Sequence, residues 1–264
     1  MLKLTPLHFD KAELDLVPAE HRLAYFGLGQ LANETAILLR TAISAINCLE
    51  GTPALHVKDM ANATALFATR MLAGRLHEGR LFINSREVAA AFREVTAVAV
   101  QKNPMFQKDY ADAVQGRARL AQLIDQSQLI EPIRNRAAFH AEARLIAEAY
   151  DHLPDQVDFV DHIAPTSGNS IFGAAESLHL TALSALLGQQ PNELDYESAL
   201  AQAITEIGEG VGYLSDFGSG YMIGFVIAYF GVERLQGEGI EVPEAVPIDE
   251  MKLPLFSIPP VEPN

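Results

Sequence analysis

Apolar residues recur along this chain at intervals of three and four, the period of one helix face, while Val, Ile and Thr never gather in alternating runs. The pattern predicts an all-α protein, a helical bundle of about seven helices with no strand ladder. Pro18-Ala19-Glu20 opens the first long helix. It runs to about Glu50, carries Leu23, Phe26, Leu31, Ile37, Leu38 and Ile46, and is closed by Gly51-Thr52-Pro53. A second helix covers 57–80. Asn84-Ser85 caps a third, since a serine followed by Glu87 and Val88 suits a helix start. Asn103-Pro104 breaks the pattern, and a helix over about 109–126 follows. Pro132 sits in the first turn of the next helix, where its missing N–H costs nothing, and that helix extends to about Leu153. A loop rich in Asp, Pro, Gly and Ser fills 152–170, then 171–187 is helical, and Gly188 to Asn192 is a break. A long helix from Tyr196 to about Arg234 is expected to kink or pause near its glycines.

From Gly237 the character changes. The last 28 residues include eight Pro or Gly and end in LPLFSIPPVEPN, which no helix accommodates. They read as an extended Pro-rich C-terminal arm on the body or on a partner subunit. Residues 1–236 are expected to form a single helical domain, with a sub-boundary at 154–170 if there is one, and 237–264 the tail. There is no repeat of fixed period.

Composition narrows the class. Apolar residues make up 49% of 264, enough for a folded core. The net charge of −15 disfavours broad binding to nucleic acid or anionic lipid, so a nucleic-acid role needs a local patch. A lone cysteine, Cys48, forms no intrachain disulfide and sits among helical apolar positions as a small hydrophobe, which fits a reducing, cytoplasmic setting. MLKLTPLHFDKAELDL has early acids and no long apolar stretch, unlike a secretory signal. The longest apolar run, YMIGFVIAYFGV at 221–232, is shorter than the roughly 20 residues a bilayer span requires. It reads as a core helix, and no membrane association is expected.

One segment departs from the acidic background. Residues 102–144 hold seven Lys or Arg against five Asp or Glu, whereas the rest of the chain holds 12 against 29. The excess comes from Lys102, Lys108, Arg117, Arg119, Arg134, Arg136 and Arg144. A helix face laced with ion pairs would use them structurally. Within EPIRNRAAFHAEAR, however, Pro132 places Arg134, Asn135 and Arg136 at a helix start, where free N–H groups and the dipole favour an anion. Arg136 and His140 are four apart and share a face. Arg134 and His140 are six apart, about 120° around the axis and about 9 Å along it, so they can flank one phosphate, above all at a subunit interface.

Arg134-Asn135-x-x-x-x-His140 resembles the signature of the HEPN superfamily: an arginine, usually a polar residue after it, and a histidine after four to six intervening positions. The resemblance implies a compact helical bundle that dimerises with its motifs facing each other. It implies either a metal-independent ribonuclease of a toxin or defence system, with RNA or a cognate antitoxin as partner, or an inactive binding module. By that resemblance the catalytic set is Arg134, Asn135 and His140, with Arg136 as an auxiliary anion contact and no cofactor or metal. Arg70 and His77 make a second bare match, but apolar Met71 follows the arginine. The alternative reading is a non-catalytic helical protein that binds a partner or a small anion.

Other constellations carry less. Glu176-x-x-His179 has the spacing of a di-iron bundle, but no second copy exists. Asp151-His152 and Asp161-His162, with Glu148 one turn before His152, hold zinc-type donors without a cysteine or an H-x-x-x-H frame. Gly208-x-x-x-Gly212 and Gly220-x-x-x-Gly224 mark tight packing or a kink in a core or interface helix. Phosphate-loop and nucleophile-elbow motifs are absent, and the glycine rhythm at 208–212 follows no strand, so a dinucleotide fingerprint is unsupported.

Overall fold

The computed structural model describes residues 2–134, 143–153, 156–165, 169–190 and 194–257. Among these the chain is all-α: α1 (Lys11–Asp15), α2 (Ala19–Ile46), α3 (Leu55–Asn84), α4 (Arg86–Lys102), α5 (Gln107–Gln126), α6 (Ile130–Ile133), α7 (Ala143–Asp151), α8 (Gly173–Leu186) and α9 (Tyr196–Phe230). The expected helices are present, joined by short α1 and with the 132–153 element represented by α6 and α7. No helix of the described residues is long and apolar enough to cross a membrane.

Local chemistry explains the ends. Asp10 and Glu13 form a reciprocal capping box at the start of α1. Ser85 accepts from the Val88 amide at the start of α4, as its position in the sequence predicts. Gly231, at φ +89°, stops α9 in a conformation that only glycine adopts without strain.

The chain divides into two compact units: Met1–Ile37, Arg75–Ser127 and Gly208–Val246 form the first, and Leu38–Gly74, Gln128–Ile207 and Pro247–Asn264 the second. The first has an aromatic core. Phe92 stacks on Phe217 with ring centroids 4.7 Å apart, Tyr25 stacks on Phe225 at 4.3 Å, and Tyr221 is fully buried. The Tyr221 hydroxyl donates to the His21 carbonyl at 2.9 Å, which satisfies its one polar atom. Burial raises the pKa of that phenol, so the hydroxyl keeps its proton as a donor. The apolar run at 221–232 supplies much of this core through Tyr221, Phe225, Val226 and Ile227.

Glycines of α9 make the close helix approaches. A Cβ on Gly220 would lie 2.5 Å from the Ala113 Cβ and 3.0 Å from the Asp109 carbonyl oxygen of α5. A Cβ on Gly116 of α5 would meet the Tyr213 carbonyl oxygen at 2.6 Å. Gly224 sits against Phe106 and Thr96. The second small-residue pair therefore does mark tight packing, while Gly212 is exposed with nothing within 4 Å. The expected interruption of α9 at its glycines does not occur; the helix is continuous from Tyr196 to Phe230.

The second unit is built on small residues. Ala42, Ala45, Ala61, Ala65, Ala68 and Ala73 are buried on α2 and α3, together with Leu66, Leu72, Ile130, Ile133, Leu180 and Leu200. Buried hydroxyls are satisfied locally: Thr69 donates to the Ala65 carbonyl at 2.7 Å and Thr181 to the Ser177 carbonyl at 2.8 Å.

The tail is extended, as its composition requires. One part corrects the expectation of no ladder: Leu2–Leu4 (β1) pairs antiparallel with Ile240–Val242 (β2), Leu2 opposite Val242. The strands are too short, and Leu2, Leu4 and Ile240 too exposed, to leave an alternating signal. Residues 248–257 then lie along the second unit.

Adding a methyl where backbone is in contact should overpack the first unit. Gly116→Ala and Gly220→Ala are each expected to lower stability by about 1–3 kcal/mol. Gly212→Ala should be neutral or stabilise by up to about 1 kcal/mol, because an exposed helical glycine only loses chain entropy. Urea denaturation of the three variants measures the contrast.

Candidate functional site

Arg134 follows α6 directly, with helical φ −58° and ψ −47°, and is half-buried with its Nε inaccessible. Ile130 and Ile133 anchor this turn in the second unit. Asn135, Arg136 and His140, the other residues of the motif, lie outside the described residues.

Most of the remaining basic residues of 102–144 are engaged in structure. Lys102 donates to the Ala228 carbonyl at 2.6 Å, and Lys108 pairs with Asp112 at 2.6 Å. Arg117 donates from Nε and Nη2 to the Asn84 side-chain oxygen at 2.9 and 2.8 Å. Arg119 lies over the Tyr213 ring, 5.8 Å from its centroid. Arg144 pairs with Glu148 at 2.6 Å. The first four belong to the first unit, while Arg134 and Arg144 belong to the second. Among the described residues, the basic side chains behind the charge excess are thus divided between two units.

A second group of ionisable residues gathers in the second unit. Glu176 and His179 stand one turn apart on α8, and the field of Arg70, on α3, reaches both. Burial is the larger influence on each. It raises the Glu176 carboxyl pKa against the opposing pull of Arg70, and Glu176 Oε2 is enclosed without a hydrogen-bond partner. Burial, then the Arg70 charge, pushes the His179 imidazole down to about 4, so it is neutral at physiological pH. The charge of the arginine of the second bare motif thus acts on an acid and a histidine more than 100 residues away in the chain, an influence that sequence spacing does not reveal.

The two Asp-His pairs separate. His152 hydrogen-bonds through Nε2 to the Gln189 carbonyl at 3.1 Å, and Glu148 turns to Arg144. His162 Nε2 meets Asp59 Oδ2 at 2.8 Å, both half-buried, while Asp161 accepts from the Ala174 amide at 3.1 Å and so caps α8. His162 also exchanges two backbone hydrogen bonds with Ile171. Among the described residues no three His, Cys, Asp or Glu side chains are gathered so as to hold a metal ion. The first unit has a groove of about 280 Å³ between Leu31, Glu34, Arg75 and Phe82, and Glu34 and Arg75 pair within it at 2.9 Å. It presents a neutralised pair.

No family model, curated protein or solved structure matches the chain. Its function therefore rests on its own residues and on the motif.

Glu176 and His179 give opposite pH dependences. Folding lowers the His179 pKa, so the unfolded chain binds the proton first; the associated stability is present above 6.5 and lost as pH falls toward about 4. Folding raises the Glu176 pKa, so its associated stability is present below 4.5 and lost as pH rises through the folded-state value. Glu176→Gln should therefore raise the urea midpoint at about pH 7, with the gain vanishing under acid conditions. A lowered midpoint at neutral pH would show that the carboxylate is paired rather than merely buried. His179→Asn should flatten the loss of stability between 6.5 and 4.

Proposed function

We propose that this chain is an HEPN-like, metal-independent ribonuclease of a toxin or defence system, acting as a homodimer. The observation that carries the reading is the Arg134-Asn135-x-x-x-x-His140 motif in an all-α chain, with Arg134 in helical conformation at the end of α6. The half-buried guanidinium suits a phosphate, because a fork of N–H donors in a partly dry setting binds an oxyanion more strongly than in water.

The chemistry needs few parts. The 2′-hydroxyl next to the scissile bond attacks phosphorus, the 5′-oxygen of the following nucleotide leaves, and a 2′,3′-cyclic phosphate remains. An imidazole titrates near neutrality, so His140 can take the hydroxyl proton or give one to the leaving oxygen. Arg134 would hold the non-bridging oxygens and stabilise charge in the crowded transition state. Asn135 would orient the phosphate or the imidazole, and Arg136 would add an anion contact. Antitoxin binding is part of the same proposal: a cognate partner would cover the motif.

A net charge of −15, with Lys102, Lys108, Arg117 and Arg119 engaged internally, favours a second reading, a non-catalytic helical protein that binds a partner or a small anion. The readings separate in one experiment. Purified chain is incubated with total RNA in excess chelator, and the products are tested for cyclic phosphate ends. The ribonuclease reading expects cleavage that falls about 100-fold or more in Arg134→Ala and His140→Ala, and less in Arg136→Ala. Intact RNA, or cleavage indifferent to His140→Ala, leaves the binding reading.

A further inference from the structure

His21 is a buried histidine, 4% exposed, with both ring nitrogens engaged. Its Nδ1 lies 2.5 Å from the Tyr229 hydroxyl and its Nε2 lies 3.2 Å from Glu94 Oε2. The three residues stand on α2, α9 and α4, all in the first unit. A carboxylate only accepts, so the neutral imidazole turns its Nε2–H to Glu94. Nδ1 is then the acceptor, and the Tyr229 hydroxyl donates to it. The Tyr221 hydroxyl holds the His21 carbonyl at 2.9 Å and so fixes the main chain that carries the ring.

Hydroxyl, imidazole and carboxylate in that order activate a nucleophile: a base sits within hydrogen-bond reach of the attacking oxygen, and a third group orients the base. Here a phenol stands in the nucleophile's place. Burial, then the charges of Glu94 and Glu20, raises the Tyr229 pKa. The phenol therefore keeps its proton at neutral pH and reacts only as a base removes it. The cluster is not sealed in the core. Tyr229 is half-buried, the Glu94 side chain is 66% exposed, and Glu20 is exposed. Two carboxylates whose fields reach the hydroxyl repel an anionic reagent and attract a cationic one.

We propose that Tyr229 is a nucleophile that accepts an acyl group from an uncharged or cationic acyl ester, with His21 as its base and Glu94 as the residue that positions His21. The phenol oxygen attacks the ester carbonyl carbon while its proton passes to His21 Nδ1, and Glu94 holds the imidazolium through Nε2. The bond from that carbon to the leaving oxygen then breaks. The proton moves from Nδ1 to the leaving oxygen, an alcohol or phenol departs, and the acyl group stays on Tyr229 as an ester. The inference is independent of the ribonuclease reading, since Arg134 belongs to the second unit.

The seven tyrosines of the chain compete in one experiment. The full chain is treated with an aryl acetate at neutral pH, quenched in acid and digested, and the acetylation rate of each tyrosine is read by mass spectrometry. Phenol release, followed in parallel, counts any acetyl group that water removes. Tyr229 should react at least about tenfold faster than Tyr150, although Tyr150 is 61% exposed. A trimethylammonium group on the leaving phenol should increase that ratio, and a carboxylate there should decrease it. His21→Gln should slow Tyr229 about 100-fold and Glu94→Gln about tenfold, with Tyr150 unchanged. Glu94→Asp, which keeps a carboxylate, should recover part of the loss, and Tyr229→Phe should abolish the excess phenol release. Glu94 is exposed, so its variants decide the matter if His21→Gln loses its helical signal. Tyr229 acetylated no faster than Tyr150, or at a rate indifferent to Glu94→Gln, overturns the proposal. A preference for the carboxylated ester overturns the assigned class of donor.

Discussion

The close approach of α9 to α5 is the constraint on which the first unit depends. Helices usually pack 8–10 Å apart; here Gly116, Ala113 and Gly220 bring backbone to backbone, and a single methyl would collide. That approach is what lets Phe217, Tyr221 and Phe225 reach the rings of Phe92 and Tyr25. The second unit instead buries alanines on α2 and α3, beside larger residues such as Leu66 and Leu72, in keeping with the density of protein cores.

Much of this was legible in the residues. The helix starts at Ser85 and after Pro18, the break at Asn103-Pro104 and the extended tail follow from capping chemistry and proline's missing donor, which act locally. The glycines of α9 were ambiguous because a Gly-x-x-x-Gly spacing says that something comes close without saying what; Gly220 meets α5, and Gly212 meets nothing. The pairing of β1 with β2 was not legible, since three residues at each of two distant positions, all but Val242 exposed, leave no periodic trace.

The site was legible only in part. Residue types and spacing single out Arg134, Asn135, Arg136 and His140, but Arg134 follows the end of α6 with its amide bonded to the Ile130 and Glu131 carbonyls, not at a helix start with a free N–H as Pro132 suggests. Spacing could not bring Arg70 to Glu176 and His179, nor send His162 to Asp59 and His152 to a carbonyl, because these depend on which helices become neighbours. One overlooked signal was present: an asparagine between Ile46 and Cys48, in a run otherwise suited to a core, calls for a polar partner, and the tail provides it.

The β1–β2 pair carries a mechanical meaning. Leu2 lies opposite Val242, so chain entering β1 and chain leaving β2 depart from the same end of the ladder. A pull applied to both sides would load one rung at a time, like the slider of a zipper, rather than shearing all rungs together. The ladder would yield at low force, and the aromatic core behind it would bear load only after the last rung had opened.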